Sequence, residues 1–207
     1  MKALTPSARV WLRRSLFSAC GLAALTVAFF IGLPRFVVGE AEVQPVEALY
    51  LAAFDPRLQT DEYAASLYQQ GLAHKIVCMS NAITCDIFPA DFARQHLIEL
   101  GVPAADVLIL HTPDTDCRAQ LFLPTLRFAQ THGWRRIAWI VDPAGSRFMR
   151  RVLQPKFKAA GLEMFVTYPP AARAELIDGW PRSHWKMQRM TREPLEVTLD
   201  FFYPECW

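Results

Sequence analysis

The stretch RRIAWIVDPAGSRFMRRV, Arg135 to Val152, holds the pattern that decides the fold. Four apolar residues, Ala138 to Val141, run together as a strand buried on both faces would, and Asp142-Pro143 end the run at once. Gly145-Ser146-Arg147 then lead into a helix-like segment. A strand that stops in a polar turn and passes into a helix is the unit from which α/β proteins are built, and such turns carry their ligand sites.

The same unit recurs along the chain. Strands are expected at Val46–Ala53, Lys75–Met79, Asp106–Leu110, Ile137–Val141 and Leu162–Tyr168, and helices at Thr60–Gln70, Pro89–Leu100, Thr115–His132 and Ser146–Ala160. Gly71, Gly101, Gly133 and Gly161 each follow the last helical residue, where a left-handed cap costs glycine least. Continuous apolar strands alternating with amphipathic helices imply a parallel sheet covered on both sides. The expected fold is a three-layer α/β/α sandwich around a mostly parallel, Rossmann-like sheet of five strands, over residues 46–207.

That architecture locates a site before any motif does, because ligands of open parallel sheets bind beyond the carboxyl ends of the strands. Those ends supply Asp55 and Arg57, then Ser80, Asn81, Thr84 and Asp86, then Thr112, Asp114, Thr115 and Asp116. The fourth strand adds Asp142, Ser146, Arg147 and Arg150. The ligand-binding set expected from these is Asp55, Arg57, Ser80, Asn81, Asp114, Thr115, Asp142, Ser146, Arg147 and Arg150. Each alone also suits a helix cap or a turn; Asp114 or Thr115 can cap the third helix and Ser146 can start the fourth. An arginine here would supply positive charge for an anion, since its planar guanidinium holds phosphate or carboxylate oxygens bidentately.

Ahead of the domain, Leu16 to Leu33 are eighteen residues without a charge. At about 1.5 Å per residue they span roughly 27 Å, close to the hydrocarbon thickness of a bilayer. Lys2, Arg9, Arg13 and Arg14 precede the run and only Arg35 closely follows it. The expectation is a basic cytoplasmic N-terminus (1–15), a single-pass anchor (16–34) in the cytoplasmic membrane, a linker (35–45) and a periplasmic or otherwise extracytoplasmic domain. A cleaved signal peptide competes, because Gly39-Glu40-Ala41 is a passable small-x-small site, but the apolar run exceeds the usual signal core. Five of the 22 basic residues and none of the 20 acidic ones lie at or before Arg35, which leaves the remainder at 17 against 20, or −3. Basic character therefore belongs to membrane topology, and the domain has no nucleic-acid signature.

Of five cysteines, Cys20 sits in the apolar run and Cys78 within a strand, where a buried thiol is the ordinary outcome. Cys85 and Cys117 both follow strands, which makes a disulfide between them one expectation in an oxidising compartment. No Cys/His cluster at metal spacing, G-x-S-x-G, G-x-G-x-x-G or Walker loop occurs, so no metal or other cofactor is expected. Asp55, Asp86, Asp114 and Asp142 have the chemistry to hold magnesium with a phosphate, although solvated loop acids are the commoner case. The tail from Trp180 mixes aromatic and basic residues, as an interfacial helix or a final packed helix would.

In order and spacing these features resemble the YdcF-like (SanA/ElyC-type) family of envelope proteins, from about Val46 to Tyr203. Its opening strand is matched by Glu47 to Ala53, its arginine by Arg57, and its A-x-x-L-Y-x-x-G helix end by Ala64, Leu67, Tyr68 and Gly71. Leu100-Gly101-Val102-Pro103 is the family's L-G-V-P, and Asp114 to Arg118 fall on its S-x-n-T-x-e-N turn with Thr115 kept. Its V-T-S-x-Y-H-x-x-R falls on Val141 to Arg150. Two departures stand out. Ala52-Ala53 and Asn81-Ala82 replace glycines that let backbone approach a ligand. Ser146 or Arg147 takes the place of the family histidine, which leaves the turn without a base that titrates near neutrality, and His111 is the nearest substitute. The resemblance implies a role in envelope biogenesis, around peptidoglycan or surface polysaccharide and its lipid carriers. Two functions fit: an enzyme acting on a phosphorylated or glycosylated precursor, or a catalytically silent binding or scaffolding subunit.

Overall fold

The computed structural model describes residues 20–22, 24–28, 32–33, 37–52, 58–80, 89–112, 122–178, 183–184 and 188. The chain divides into two compact units, Met1–Phe36 and Val37–Trp207. In the second, β1 (Val46–Ala52), β2 (Ala73–Ser80), β3 (Val107–His111), β4 (Arg136–Ile140) and β5 (Glu163–Thr167) form one sheet of order β3-β2-β1-β4-β5. Every pairing is parallel, with Tyr50 opposite Val77 on one side and Trp139 on the other. The α/β class and five parallel strands expected from the alternation are therefore present.

Side chains alternate between the two sides of each strand, and so build two cores. Leu49, Leu51, Ile76, Cys78, Ala138, Ile140 and Phe165 pack with Ala64, Ala65 and Leu67 of α1 (Gln59–Gln69) and with Ala90, Ala93 and Leu97 of α2 (Pro89–Glu99). Ala48, Tyr50, Val77, Ile137, Trp139, Met164 and Val166 pack the other way, against Ala129 of α3 (Phe122–Thr131) and a helical run after β4. That run has three parts: α4 (Ser146–Phe148), a π turn (Met149–Leu153) and α5 (Gln154–Ala159). The expectation was one regular helix. Pro155, second in α5, has no N–H and would clash with the carbonyl four residues back; the wider π turn relieves both. A further helix, α6 (Pro170–Asp178), follows β5.

The four glycines stop their helices as their positions suggest, with φ of 72°, 92°, 71° and 80° at Gly71, Gly101, Gly133 and Gly161. After α1, Gly71 N–H donates to Tyr68 O (2.9 Å) and Leu72 N–H to Leu67 O (3.0 Å), and the same pair of bonds closes the helices before Gly101, Gly133 and Gly161. Each cap thus satisfies helix-end carbonyls and folds an apolar residue, such as Leu72 or Val102, back onto the core. Cys78 lies fully buried in β2, where burial, with Asp61 adding to it, pushes its thiol up to about 12. It is an inert core thiol.

Residues 35–45, expected as a linker, behave otherwise where they are described. Val37 and Val38 are buried, and Glu42 N–H donates to Val166 O (2.9 Å) on the outer edge of β5. Gln154 Nε2 covers the next outward carbonyl, Met164 O, at 2.8 Å. Between them they blunt an edge strand that would otherwise offer free acceptors. Among the described residues no helix is long and apolar enough to cross a membrane. Residues 16–19, 23, 29–31 and 34 of the expected span lie outside the described residues.

Candidate functional site

The order β3-β2-β1-β4-β5 places a topological switch between β1 and β4. The helix that follows β1 packs on one face of the sheet and the helices that follow β4 pack on the other, the arrangement in which open α/β sheets hold ligands beyond their strand ends. The turn after β4 is the described part of that region. Asp142 accepts from Ala144 N–H (2.9 Å) and Gly145 N–H donates to Asp142 O (2.9 Å), which sets the short 3-10 turn Pro143–Gly145 ahead of α4. Across the switch, Leu58 enters α1 with φ 57°. It is the single non-glycine in the left-handed region among the described residues, and such strain persists where a site demands it.

Ser146 is fully buried. Its hydroxyl donates to Pro143 O (2.6 Å) and accepts from Gly39 N–H (2.9 Å). Both its proton and a lone pair are committed to backbone, so this serine acts as a latch between the strap and the turn. Arg150 works with it. One Nη bonds Glu40 O and the other meets the Glu42 carboxylate at 3.0 Å, while Tyr168 Oη donates to Gly39 O at 2.5 Å. The incoming strap Gly39–Glu42 is therefore held at the end of β5 by three side chains that lie more than a hundred residues away in sequence. Glu42, Gly39 and Tyr168 escaped the sequence reading, since nothing local to the strap marks it as bonded.

Arg147 stands one residue on and shares this end of the domain with Arg150 and Arg151. Burial lowers its pKa most, and repulsion from Arg151 and Arg150 lowers it further. It still carries its charge near neutrality, because an arginine starts far above that range. Tyr168 adds another cationic neighbour: burial raises its pKa, while Arg173 and Arg150 pull it back. Four arginines thus gather where β4 and β5 end, one of them, Arg150, paired with Glu42.

Of the expected ligand residues, Asp142, Ser146, Arg147 and Arg150 come together in this one turn and helix start. Ser80 closes β2 opposite His111. Asp55, Arg57, Asn81, Asp114 and Thr115 lie outside the described residues, as do Cys85 and Cys117 and the other loop acids proposed for magnesium, Asp86 included. His111 ends the edge strand β3, two strands or roughly 10 Å from β1 and further from the turn it would have to serve.

No family model matches the chain, and no curated protein does. Among solved structures, it is similar to the U34-tRNA thiolase NcsA from Methanococcus maripaludis with its 4Fe-4S cluster, at 9% identity. That alignment covers 87% of this chain and 75% of the other with a TM-score of 0.42, too distant to bear on function.

Proposed function

We propose that this is a membrane-anchored domain of the YdcF-like kind that acts in cell-envelope biogenesis by binding an anionic precursor at the carboxyl ends of β1 and β4. The observation that carries the reading is the gathering of Arg147 and Arg151 at the start of the helical run leaving that switch, beside Arg150, which holds the strap. Arginines suit a phosphate, and the lipid carriers of envelope sugars are isoprenyl phosphates, so a phosphate-bearing carrier is the ligand class this chemistry favours. Ser146 spends its hydroxyl on backbone and no histidine follows it, which supports binding without turnover. Service as a catalytically silent scaffold or accessory subunit of a membrane complex is the second reading, favoured by the same commitment of Ser146.

Titration with a short-chain isoprenyl phosphate tests the first. Arg147→Ala should weaken its binding about tenfold or more, while Arg147→His should not create turnover. Equal affinity of Arg147→Ala and the parent protein overturns the anion site. Topology has its own check: a reporter active only after export, fused after Tyr203, should give signal from the membrane fraction. Recovery of the fusion in the cytoplasm refutes the anchor.

A further inference from the structure

Among the described residues of the domain four large apolar side chains stand exposed, Phe92 at 70%, Leu123 at 53%, Val43 at 48% and Leu58 at 42%, and all but Val43 stand at the starts of helices. Leu58 precedes α1, Phe92 lies in the first turn of α2 and Leu123 in the first turn of α3. In a parallel α/β sandwich the helix after each strand begins where that strand ends. All three therefore flank the same edge of the domain, the carboxyl end of the sheet, from both helical layers. The strand-start edge is built differently. There Glu47 accepts from Arg135 N–H (2.7 Å) and Arg136 N–H (2.5 Å), Lys75 pairs with Asp106 (2.6 Å), and Arg136 pairs with Glu163 (3.2 Å).

Two further features mark the carboxyl-end edge. Arg147, Arg150, Arg151 and Arg173 collect there. The chain also enters the domain there, because Gly39 is bonded to Ser146 and Tyr168, and only a few residues separate that latch from the charge-free run Leu16–Leu33. Single exposed apolar residues are ordinary on a protein surface. Three on one edge, beside four arginines and the entry of a chain that emerges from an apolar run, have the composition of an interfacial contact, apolar tips with a cationic collar.

We propose that this edge of the domain docks on the surface of an anionic bilayer, with Leu58, Phe92 and Leu123 entering the headgroup region and Arg147, Arg151 and Arg173 meeting lipid phosphates. The inference rests on the reading of an anionic, carrier-borne ligand and deepens it: the site proposed at the carboxyl ends of β1 and β4 lies on the edge that touches lipid, so the ligand is taken from the bilayer and not from solution.

Photo-crosslinking in native membranes tests the docking on the full-length protein. Benzoylphenylalanine replaces Phe92 or Leu123 on the proposed edge, and Glu99 or Ala159, both exposed at helix ends on the opposite edge, as controls. Lipid adducts should form at Phe92 and Leu123 at least fivefold more than at Glu99 and Ala159. Equal yields at both edges, or adducts only to a second copy of the chain, overturn the proposal. The double variant Phe92→Ser, Leu123→Ser separates the two readings, since neither residue belongs to the arginine site. It should leave affinity for a soluble short-chain isoprenyl phosphate within twofold while lowering uptake of a long-chain isoprenyl phosphate from vesicles at least fivefold. Unchanged uptake refutes docking and leaves the anion site standing; loss of soluble affinity in Arg147→Ala, tested separately, judges the anion site alone.

Discussion

The two faces of the sheet are covered by the same kind of helix, yet they treat their polar groups in opposite ways. On the face under α1 and α2 the core is mainly aliphatic, with Phe165 among it, and its tyrosines reach partners at the periphery. Tyr63 Oη meets Thr167 Oγ1 at 2.9 Å, Tyr68 Oη donates to Asp106, and Asp61 lies 3.2 Å from His96 Nδ1. On the face under α3 and the helices after β4 the core is aromatic. Tyr50 there stands edge-on to Phe128 and Trp134 at 6.5 and 6.2 Å and tilted against Trp139 at 6.5 Å, and Phe157 packs on Phe122 and Trp139. Yet Tyr50 Oη, Trp139 Nε1 and Thr125 Oγ1, all on this face, are buried without a hydrogen-bond partner among the described residues. One face is held by shape and by paired polar rims; the other gains aromatic area at the expense of three polar atoms. The less satisfied face also carries the arginine-bearing helix of the proposed site, in keeping with the tendency of proteins to break packing rules near function.

The comparison can be pressed hardest at Phe157. This ring is fully buried against Phe122 and Trp139, and its carbonyl receives the capping bond from Leu162 N–H. Phe157→Ala should cost about 3–5 kcal/mol, read as a lowered midpoint in chemical denaturation with unchanged slope. A cost under about 1.5 kcal/mol would mean that the aromatic core is loose rather than merely unsatisfied.

A subtler test takes the aliphatic face. Tyr63→Phe deletes a hydroxyl whose partner, Thr167, is 1% exposed. The loss of one bond and the stranding of a buried hydroxyl should destabilise the domain by about 1–2 kcal/mol. A neutral result there would erase the contrast between the faces.

Much of this layout was legible in the sequence. Strand order aside, the five apolar runs and four glycines are local signals: a strand shows as a run of two-faced apolar residues, and a left-handed cap needs only a glycine at the right step. The strap was not legible. Gly39 meets Ser146 and Tyr168 across 107 and 129 residues, and a single extended segment bonded through its backbone leaves no periodicity to find. For the same reason Ser146 and Arg150 looked like ligand groups from sequence; polarity at a strand end does not tell whether the partner is a ligand or the chain itself. The π turn before Pro155 was not legible either, because whether a helix breaks or widens there depends on how Met149 and Leu153 anchor it to the sheet.

Titration distinguishes the rims. The Asp106 carboxyl is held below its ordinary value chiefly by the bond from Lys75 and then by Tyr68, and the same bond raises Tyr68. A depressed carboxyl contributes stability that is fully present above the unfolded value of about 3.9 and is lost as pH falls through the folded one. A raised tyrosine contributes below about 10 and loses that contribution as pH rises through its folded value. Asp106→Asn should therefore flatten the acid limb of a stability–pH profile and soften the alkaline limb. An unchanged acid limb would mean that the rim bond contributes nothing in solution.

The smallest expected change is the most informative. Tyr50 is fully buried, its pKa is raised by burial, and its hydroxyl has no partner to lose. Tyr50→Phe keeps the ring, its contacts with Phe128, Trp134 and Trp139, and nearly all its volume. The folded state sheds an unpaired polar atom, whereas the unfolded state gives up a hydroxyl that water would have solvated. The balance should leave stability near pH 7 unchanged or raise it by up to about 1 kcal/mol. Sign and place differ from Tyr63→Phe, although the chemical change is identical. The alkaline limb adds a second reading. Above about pH 10 the unfolded chain releases the Tyr50 proton while the folded chain retains it, so the parent protein loses stability there and Tyr50→Phe should lose less. A cost of 1 kcal/mol or more at pH 7 would show that the hydroxyl bonds an internal solvent molecule shared with Trp139 or Thr125. The aromatic face would then be as fully satisfied as its counterpart, by water in place of protein.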